Sequence, residues 1–366
     1  MRIASIVGVR PQFVKASVVS RELRKNNEEI LIHTGQHYDY QMNKVFFEEL
    51  NIPEPDYHLD IGSGSHGYQT GEMLKKIEEV LIKEKPDLVL TYGDTNSTLA
   101  GALAASKLHI KTAHIESGLR SFDKSMPEEI NRIVTDHCSD ILFCPTTTAI
   151  ENLKKEGIEK NVYLTGDVMV DSLLYNREIA ENKSTILNDL GLKSKGYIVV
   201  TIHRASNTNN EQNLKNIVNA FSELKETIVF PLHPRTDKFL KKYGLYDKLK
   251  SSVILIEPLG SFEFIKLMNN AKMILTDSGG VQKEAYVLKV PCITLRENTE
   301  WVETVNDEWN VLVGTDKEKI VRTIKKFQPI LEKHRNRFGN GDASKNILSI
   351  IDNLKKQEVD LWHPKK

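Results

Sequence analysis

Acidic residues close apolar runs throughout the first half of this chain. Asp94 ends "LVLTYGD", Glu116 ends "KTAHIE", and Glu128 opens a helical stretch after Met126 and Pro127. Carboxylates lowered from neighbouring loops into a partly dry cleft shift one another's pKa values and divide into acid and base. Each also has a structural use: Asp94 could cap a helix at Thr95, and Glu128 with Glu129 suits the acidic first turn that complements a helix dipole. Cations and small residues stand at other run ends. In "GVRPQFVKA", Arg10 and Lys15 bring two positive charges to the positive end of one helix, an arrangement that an arriving anion relieves. In "TDSGGVQKEA", Ser278, Gly279 and Gly280 precede a helix, where backbone N–H groups and a hydroxyl can approach a phosphate closely. The same residues also suit a tight turn with an N-cap. His203 in "VVTIHRAS" and His233 in "FPLHPRT" can donate to phosphate or sugar hydroxyls and move protons near neutral pH. No His-x-x-x-His or Glu-x-x-His spacing surrounds them, so no metal is expected. His33, His37 and His114 are read as core or supporting residues. "GSGSHG", residues 62 to 67, reads as a flexible loop or as a lid with glycine hinges.

Strands must carry these residues to their ends. Short β-branched runs alternate with helical periodicity: "RIASIVGV", "EILIHTG", "PDLVLTYG", "KTAHIE", "DILFCP" and "VYLTG" in the first half, "YIVVTIHR", "TIVFPLHP", "SVILIEP", "KMILTDSGG", "PCITLRE" and "NVLVG" in the second. Strands separated by helices imply parallel sheets covered on both faces. The expected fold class is α/β, with two doubly wound Rossmann-like domains and ligands beyond the carboxyl ends of the strands. The expected division is residues 1–168 and 169–351, with a last helix, 352–366, packing back on the first domain. The halves echo one another: Asp94 and Asp277 hold matching places in two strand–turn–helix–strand segments.

A chain of 366 residues is longer than one core usually serves. Lys plus Arg equals Asp plus Glu at 50 each, so no global field attracts nucleic acid or anionic membrane, and a small-molecule partner is expected. Cys138, Cys144 and Cys292 lack zinc-finger spacing and suit a reducing compartment. "MRIASIVGVRPQ" lacks the length and flanks of a signal peptide, and no apolar run approaches a membrane span. A cytoplasmic protein is expected.

Taken together, "GVRPQFVKA", "TGQH", "YGDTNSTLAGALAA", "HIESGLRS", "MPEEINR", "TIHR", "PLHPRT" and "TDSGGVQKEA" follow an order and spacing over nearly the whole chain that resembles the non-hydrolysing UDP-N-acetylglucosamine 2-epimerases. The resemblance implies a glycosyltransferase-B arrangement of the two domains with a cleft between them, a homodimer, no metal and no nicotinamide or other cofactor. It implies that Arg10, Lys15, His203, Ser278, Gly279, Gly280 and Glu284 hold the UDP portion. Phe264 in "SFEFIKLMNNA" would lie against uracil; its spacing with Ile265 and Met268 equally suits an apolar helix face. Asp94, Glu116 and Glu128 fall where the family has its catalytic carboxylates, and His233 where it has a second functional histidine. His203, able to move a proton, joins the catalytic set.

The implied reaction is reversible C2 epimerisation of UDP-N-acetylglucosamine to UDP-N-acetylmannosamine, through anti elimination of UDP to a 2-acetamidoglucal. The chain departs from the familiar bacterial pattern at "TEWVETV", where Trp301 and Val302 replace an Arg and the Pro after it. "TEWVE", "TGQHYD" and "GSGSHGYQTG" are also similar to the epimerases acting on UDP-2,3-diacetamido-glucuronic acid. "YDYQMN" and "TGEMLKK" depart from the contacts that a second, activating UDP-sugar makes in bacterial members. A glycosyltransferase of the same fold is the alternative reaction class.

Overall fold

The computed structural model describes residues 1–36 and 53–362, and the side chains of the last helix through residue 354. His37 and the "YDYQMN" segment lie outside the described residues. The chain forms two compact units, one of Met1–Ser172 continued from Phe338 onward, the other of Leu173–Arg337.

Among the described residues, the first unit holds a seven-stranded sheet: β1 (Arg2–Val7), β2 (Glu28–His33), β3 (Tyr57–His58), β4 (Leu88–Tyr92), β5 (Lys111–Ile115), β6 (Ile141–Cys144) and β7 (Val162–Leu164), in the spatial order β3-β2-β1-β4-β5-β6-β7. All neighbours pair in parallel, which requires covered faces and explains the continuous apolar runs. One face packs Ile3, Val7, Leu31, Leu90 and Ile115 beneath helix α1 (Arg10–Leu23) and a final helix (Ala343–Trp362), which enters through Ile347, Leu348 and Ile351. The other packs Ile6, Ile32 and Val89 against Met73, Ile77, Ala100 and Ala104, from α2 (His66–Glu84) and α3 (Asn96–Lys107). The final helix starts inside this unit: the buried Asp171 carboxylate accepts the Ala343 and Ser344 N–H groups at 3.0 and 2.7 Å. Those are first-turn donors that the helix itself leaves unpaired.

The second unit repeats the plan with β8 (Tyr197–Thr201), β9 (Thr227–Pro231), β10 (Ile254–Ile256), β11 (Met273–Thr276), β12 (Cys292–Thr294) and β13 (Asn310–Leu312), ordered β10-β9-β8-β11-β12-β13 and again parallel. In each sheet the order reverses beside the first strand, between β1 and β4 and between β8 and β11. Such a reversal parts the loops on either side and opens a crevice at the strand ends. Asp94 and Asp277 lie just past β4 and β11, the two equivalent strands. The "GSGSHG" segment is partly helical: Ser65 caps α2 by accepting the Tyr68 N–H at 3.4 Å, and His66 begins the helix.

His33, at the end of β2, illustrates what burial costs a base. It is buried, stacks on Phe13 at 5.0 Å and lies 5.4 Å from His58. Burial foremost, then the charge of His58, push its pKa down to about 4 against the opposing pull of Asp60. The unfolded chain therefore takes up this proton first as pH falls below 6.5, and stability drops until about pH 4. The expected loss is on the order of 3 kcal/mol. Urea midpoints at pH 7 and pH 4.5 should differ clearly less for His33→Asn than for the unaltered protein; equal differences would refute the assignment.

Candidate active site

At the first unit's reversal point the side chains converge. Glu116 follows β5 with φ +78°, a left-handed conformation uncommon outside glycine and concentrated at functional sites. The Phe143 carbonyl holds it there by accepting the N–H groups of Glu116 and Ser117, both at 3.1 Å. The Glu116 carboxylate pairs with Lys15 Nζ, the two side chains being 13% and 10% exposed. Lys15, a cation expected at the phosphate, is thus also the partner of an acid. Gly93, with φ +67°, lies beside them, and a Cβ on it would stand 2.9 Å from Lys15 Nζ and 3.4 Å from Glu116 Oε2. Asp94 comes next and pairs with Arg132, from helix α4 (Pro127–Cys138). The Asp94 carbonyl accepts from Asn131 Nδ2 at 2.9 Å.

Of the adjacent acids at the start of α4, Glu128 is exposed and Glu129 turns inward. Glu129 accepts the Ser121 and Phe122 N–H groups at 2.9 Å each and Arg132 Nη1 at 2.9 Å. Burial raises its pKa, but the two backbone donors and Arg132 outweigh burial and leave it below the usual range. Glu129 is thus a brace, and Glu128 is the acid left to solvent. Arg10, the first residue of α1, is exposed as well.

One residue that the sequence reading missed ties these loops together. The buried Gln12 side chain accepts the Gly8 and Val9 N–H groups at 2.8 and 3.3 Å and donates to the Tyr92 carbonyl at 2.8 Å and Thr98 Oγ1 at 2.9 Å. A Gln at the third position of a helix, reaching back to its start, is a legible signal. Gly8 must be glycine: a Cβ would stand 2.1 and 2.2 Å from the Ser97 and Thr34 hydroxyl oxygens.

In the second unit, Asp277 organises the strand ends. Fully buried, it accepts the His203 N–H at 3.0 Å and, on its other oxygen, the Arg204 N–H and Asn207 Nδ2, each at 3.0 Å. The His203 ring lies 5.4 Å from that of His233. Burial lowers the His203 pKa; Asp277 pulls it up, while His233, Arg204 and Arg235 push it further down. His203 is therefore a neutral imidazole near pH 7. His233 Nδ1 accepts the Arg235 N–H at 3.1 Å, which leaves Nε2 to carry the proton of its neutral form.

Ser278 occupies the N-cap position of the helix Gly279–Val287, yet its side chain makes no capping hydrogen bond. A Cβ at Gly279 would meet Glu300 Oε1 at 2.0 Å, whereas one at Gly280 would find nothing closer than Ser278 Oγ at 3.9 Å. Glu300, another residue missed from sequence, pairs with Arg296 at 2.8 Å and Arg204 at 3.4 Å. Its loop folds over the first turn of that helix: Thr299 Oγ1 donates to Gln282 Oε1 at 2.6 Å, and Lys283 Nζ lies 4.5 Å from the centre of the buried Trp301 ring. Val302 is exposed. Glu284 is half-buried on the same helix. Phe264, on the helix Ser261–Asn269, is half-buried against the apolar cluster of Ile265, Leu267 and Met268. Among the described residues, no group of three or more His, Cys, Asp or Glu side chains is placed to hold a metal.

Residues 21–352 match the family model described as UDP-N-acetylglucosamine 2-epimerase. The chain belongs to that family. It is 62% identical to a UDP-N-acetylglucosamine 2-epimerase homolog of Methanococcus maripaludis, over 97% of this chain and 100% of the relative. It is 49% identical to the UDP-2,3-diacetamido-2,3-dideoxy-D-glucuronate 2-epimerase of Pseudomonas aeruginosa, over 97% and 100%. The crystal structure of Methanocaldococcus jannaschii UDP-GlcNAc 2-epimerase in complex with UDP-GlcNAc and UDP superposes with a TM-score of 0.82 at 50% identity, covering 96% of this chain and 100% of that one. Membership makes the chain an epimerase, hence an isomerase, built on Rossmann-like sheets. In this 2-epimerase-family chain the strand-end acids of the first unit and the strand-end donors of the second are where such chemistry is to be sought.

Proposed function

We propose that the protein interconverts UDP-N-acetylglucosamine and UDP-N-acetylmannosamine by eliminating and re-adding UDP. The observation that carries this reading is the gathering of Asp94 and Glu116 at the reversal point of one sheet, each beside a cation, Arg132 and Lys15. The C2 proton next to an acetamido group is far from acidic in the intact sugar. As the C1–O bond breaks, its electrons leave with the β-phosphate and C1 gains oxocarbenium character, which makes C2–H labile. One carboxylate then takes the proton and the C2–H electrons form the C1=C2 double bond of the 2-acetamidoglucal. Protonation of C2 from the opposite face and return of UDP to C1 complete the inversion. Such a step needs cations and backbone donors at the leaving diphosphate and acids at both faces of C2.

In this reading Arg10, neutral His203 and His233 with Ser278, Gly279, Gly280 and Glu284 hold the UDP portion and Phe264 lies against the uracil, while Asp94, Glu116 and Glu128 serve C2. Lys15, bound to Glu116, tunes that acid as well as opposing the phosphate charge. The reading carries with it a homodimer working in the cytoplasm in polysaccharide biosynthesis; among the described residues no helix is long and apolar enough to cross a membrane.

A second substrate is favoured by one observation: the Trp301 loop lies directly over the start of the diphosphate helix, and the Pseudomonas aeruginosa relative, at 49% identity, acts on a UDP-2,3-diacetamido-2,3-dideoxy-D-glucuronate. NMR in deuterated water separates the possibilities. The protein is expected to convert UDP-N-acetylglucosamine to the manno epimer carrying deuterium at C2. Turnover confined to the diacetamido-glucuronate would reassign the substrate, and donor consumption only with an added acceptor would make the protein a glycosyltransferase.

A further inference from the structure

His114 lies fully buried in β5, and the reaction as proposed gives it nothing to do. Its ring nitrogens meet two acceptors: Nε2 lies 2.7 Å from the Gly93 carbonyl oxygen and Nδ1 lies 2.7 Å from Asp136 Oδ1. A carbonyl oxygen can only accept, so Nε2 carries a proton. Asp136 also accepts, from Arg120 Nη1 at 2.7 Å and the Gly118 N–H at 3.1 Å. The Arg120 guanidinium and the Gly118 N–H, both donors, fix Asp136 as an ionised acceptor, so Nδ1 carries a proton too. Arg120 is in turn held through two 2.7 Å contacts to Glu156. The ring sits between a turn and a charge network that is satisfied from both ends.

The turn it holds is the one that matters for chemistry. Gly93 gives its N–H to the Ile115 carbonyl at 3.0 Å and accepts the His114 Nε2–H on its own carbonyl, so both backbone polar groups of that residue are fastened to β5. Glu116 leaves that tip one residue later, and Asp94 leaves Gly93. Ser117 Oγ donates to the His114 carbonyl at 2.6 Å, closing the tip from the other side. We propose that His114, as a doubly protonated ring bridging Gly93 and Asp136, is a positioning residue that sets Asp94 relative to Glu116. The proposal rests on the C2 chemistry proposed above, deepens it, and assigns His114 no proton transfer.

Histidine-selective 15N labelling of the full chain tests the bridge itself. Two slowly exchanging ring N–H signals are expected for His114, assigned by their loss in His114→Gln. For His114→Gln, kcat of epimerisation should fall by about a hundredfold, the penalty for reacting groups misplaced by about 1 Å, with KM and UDP affinity within about threefold. Asp136→Asn, of unchanged volume, is the second variant should the first not fold: it should lose one ring proton signal and suffer the same kcat loss. A wild-type ring with a single proton overturns the proposal whatever the reaction is. A folded His114→Gln protein with unchanged kcat overturns it as well. Failure of the underlying reaction would look different: no C2 exchange in the unaltered protein.

Discussion

Glu116→Gln is expected to reduce deuterium incorporation at C2 by about a thousandfold, within the range that a positioned general acid or base supplies, while UDP affinity stays within about tenfold, or about 1.4 kcal/mol. The amide keeps the shape of the side chain and can still accept a hydrogen bond from Lys15, so the fold around it should persist. What disappears is the capacity to take or hold a proton at C2. Calorimetric titration with UDP alongside the NMR assay separates the two roles. A large loss of UDP binding with exchange still detectable would make Glu116 a structural partner of Lys15 and move the chemistry to Asp94 and Glu128.

The second large effect is one of stability. Asp277→Ala should destabilise the protein by about 3 to 5 kcal/mol, the range for removing one partner from a buried charged cluster. Two backbone N–H groups, of His203 and Arg204, would lose the carboxylate that accepts them, and the Asn207 amide one of its two acceptors; each buried unpaired donor costs about 1 to 3 kcal/mol. His203 would also lose the carboxylate that pulls its pKa upward. Urea unfolding followed by circular dichroism gives the measurement. A change below about 1 kcal/mol, the scale of an exposed pair, would mean that the 203–207 turn holds itself.

Much of this architecture could be read from residue order. Alternating β-branched and helical segments specify parallel sheets, and strand-end residues then fall at the sheet reversals without further information; Asp94 and Asp277 do stand at equivalent strands. What the order of residues does not carry is direction within a turn. "MPEE" offers two acids of equal standing, and only the pitch of α4 sends Glu129 inward as a brace and leaves Glu128 to solvent. Lys15 shows its place near a helix start in the sequence, but not its pairing with Glu116, 101 residues away. Glu300 escaped for a similar reason, since its partner Arg204 lies 96 residues away. The chain's crossings between the units were placed at 168 and 352 from apolar spacing. The units divide after Ser172 and before Phe338, where a buried Asp171 gathers the first turn of the last helix through long-range hydrogen bonds with no local signature.

The left-handed backbone at Glu116 closes off most substitutions there from two directions. Glycine would release a conformational strain of about 1 to 2 kcal/mol but remove the carboxylate paired with Lys15, and breaking a buried ion pair costs about 3 to 5 kcal/mol. Aspartate tolerates the conformation and keeps the charge, yet withdraws the carboxylate by one methylene from both Lys15 and the turn at Gly93. Both replacements thus cost this corner either its charge or its reach, so sugar preference is more readily altered in the residues around this acid than at the acid itself.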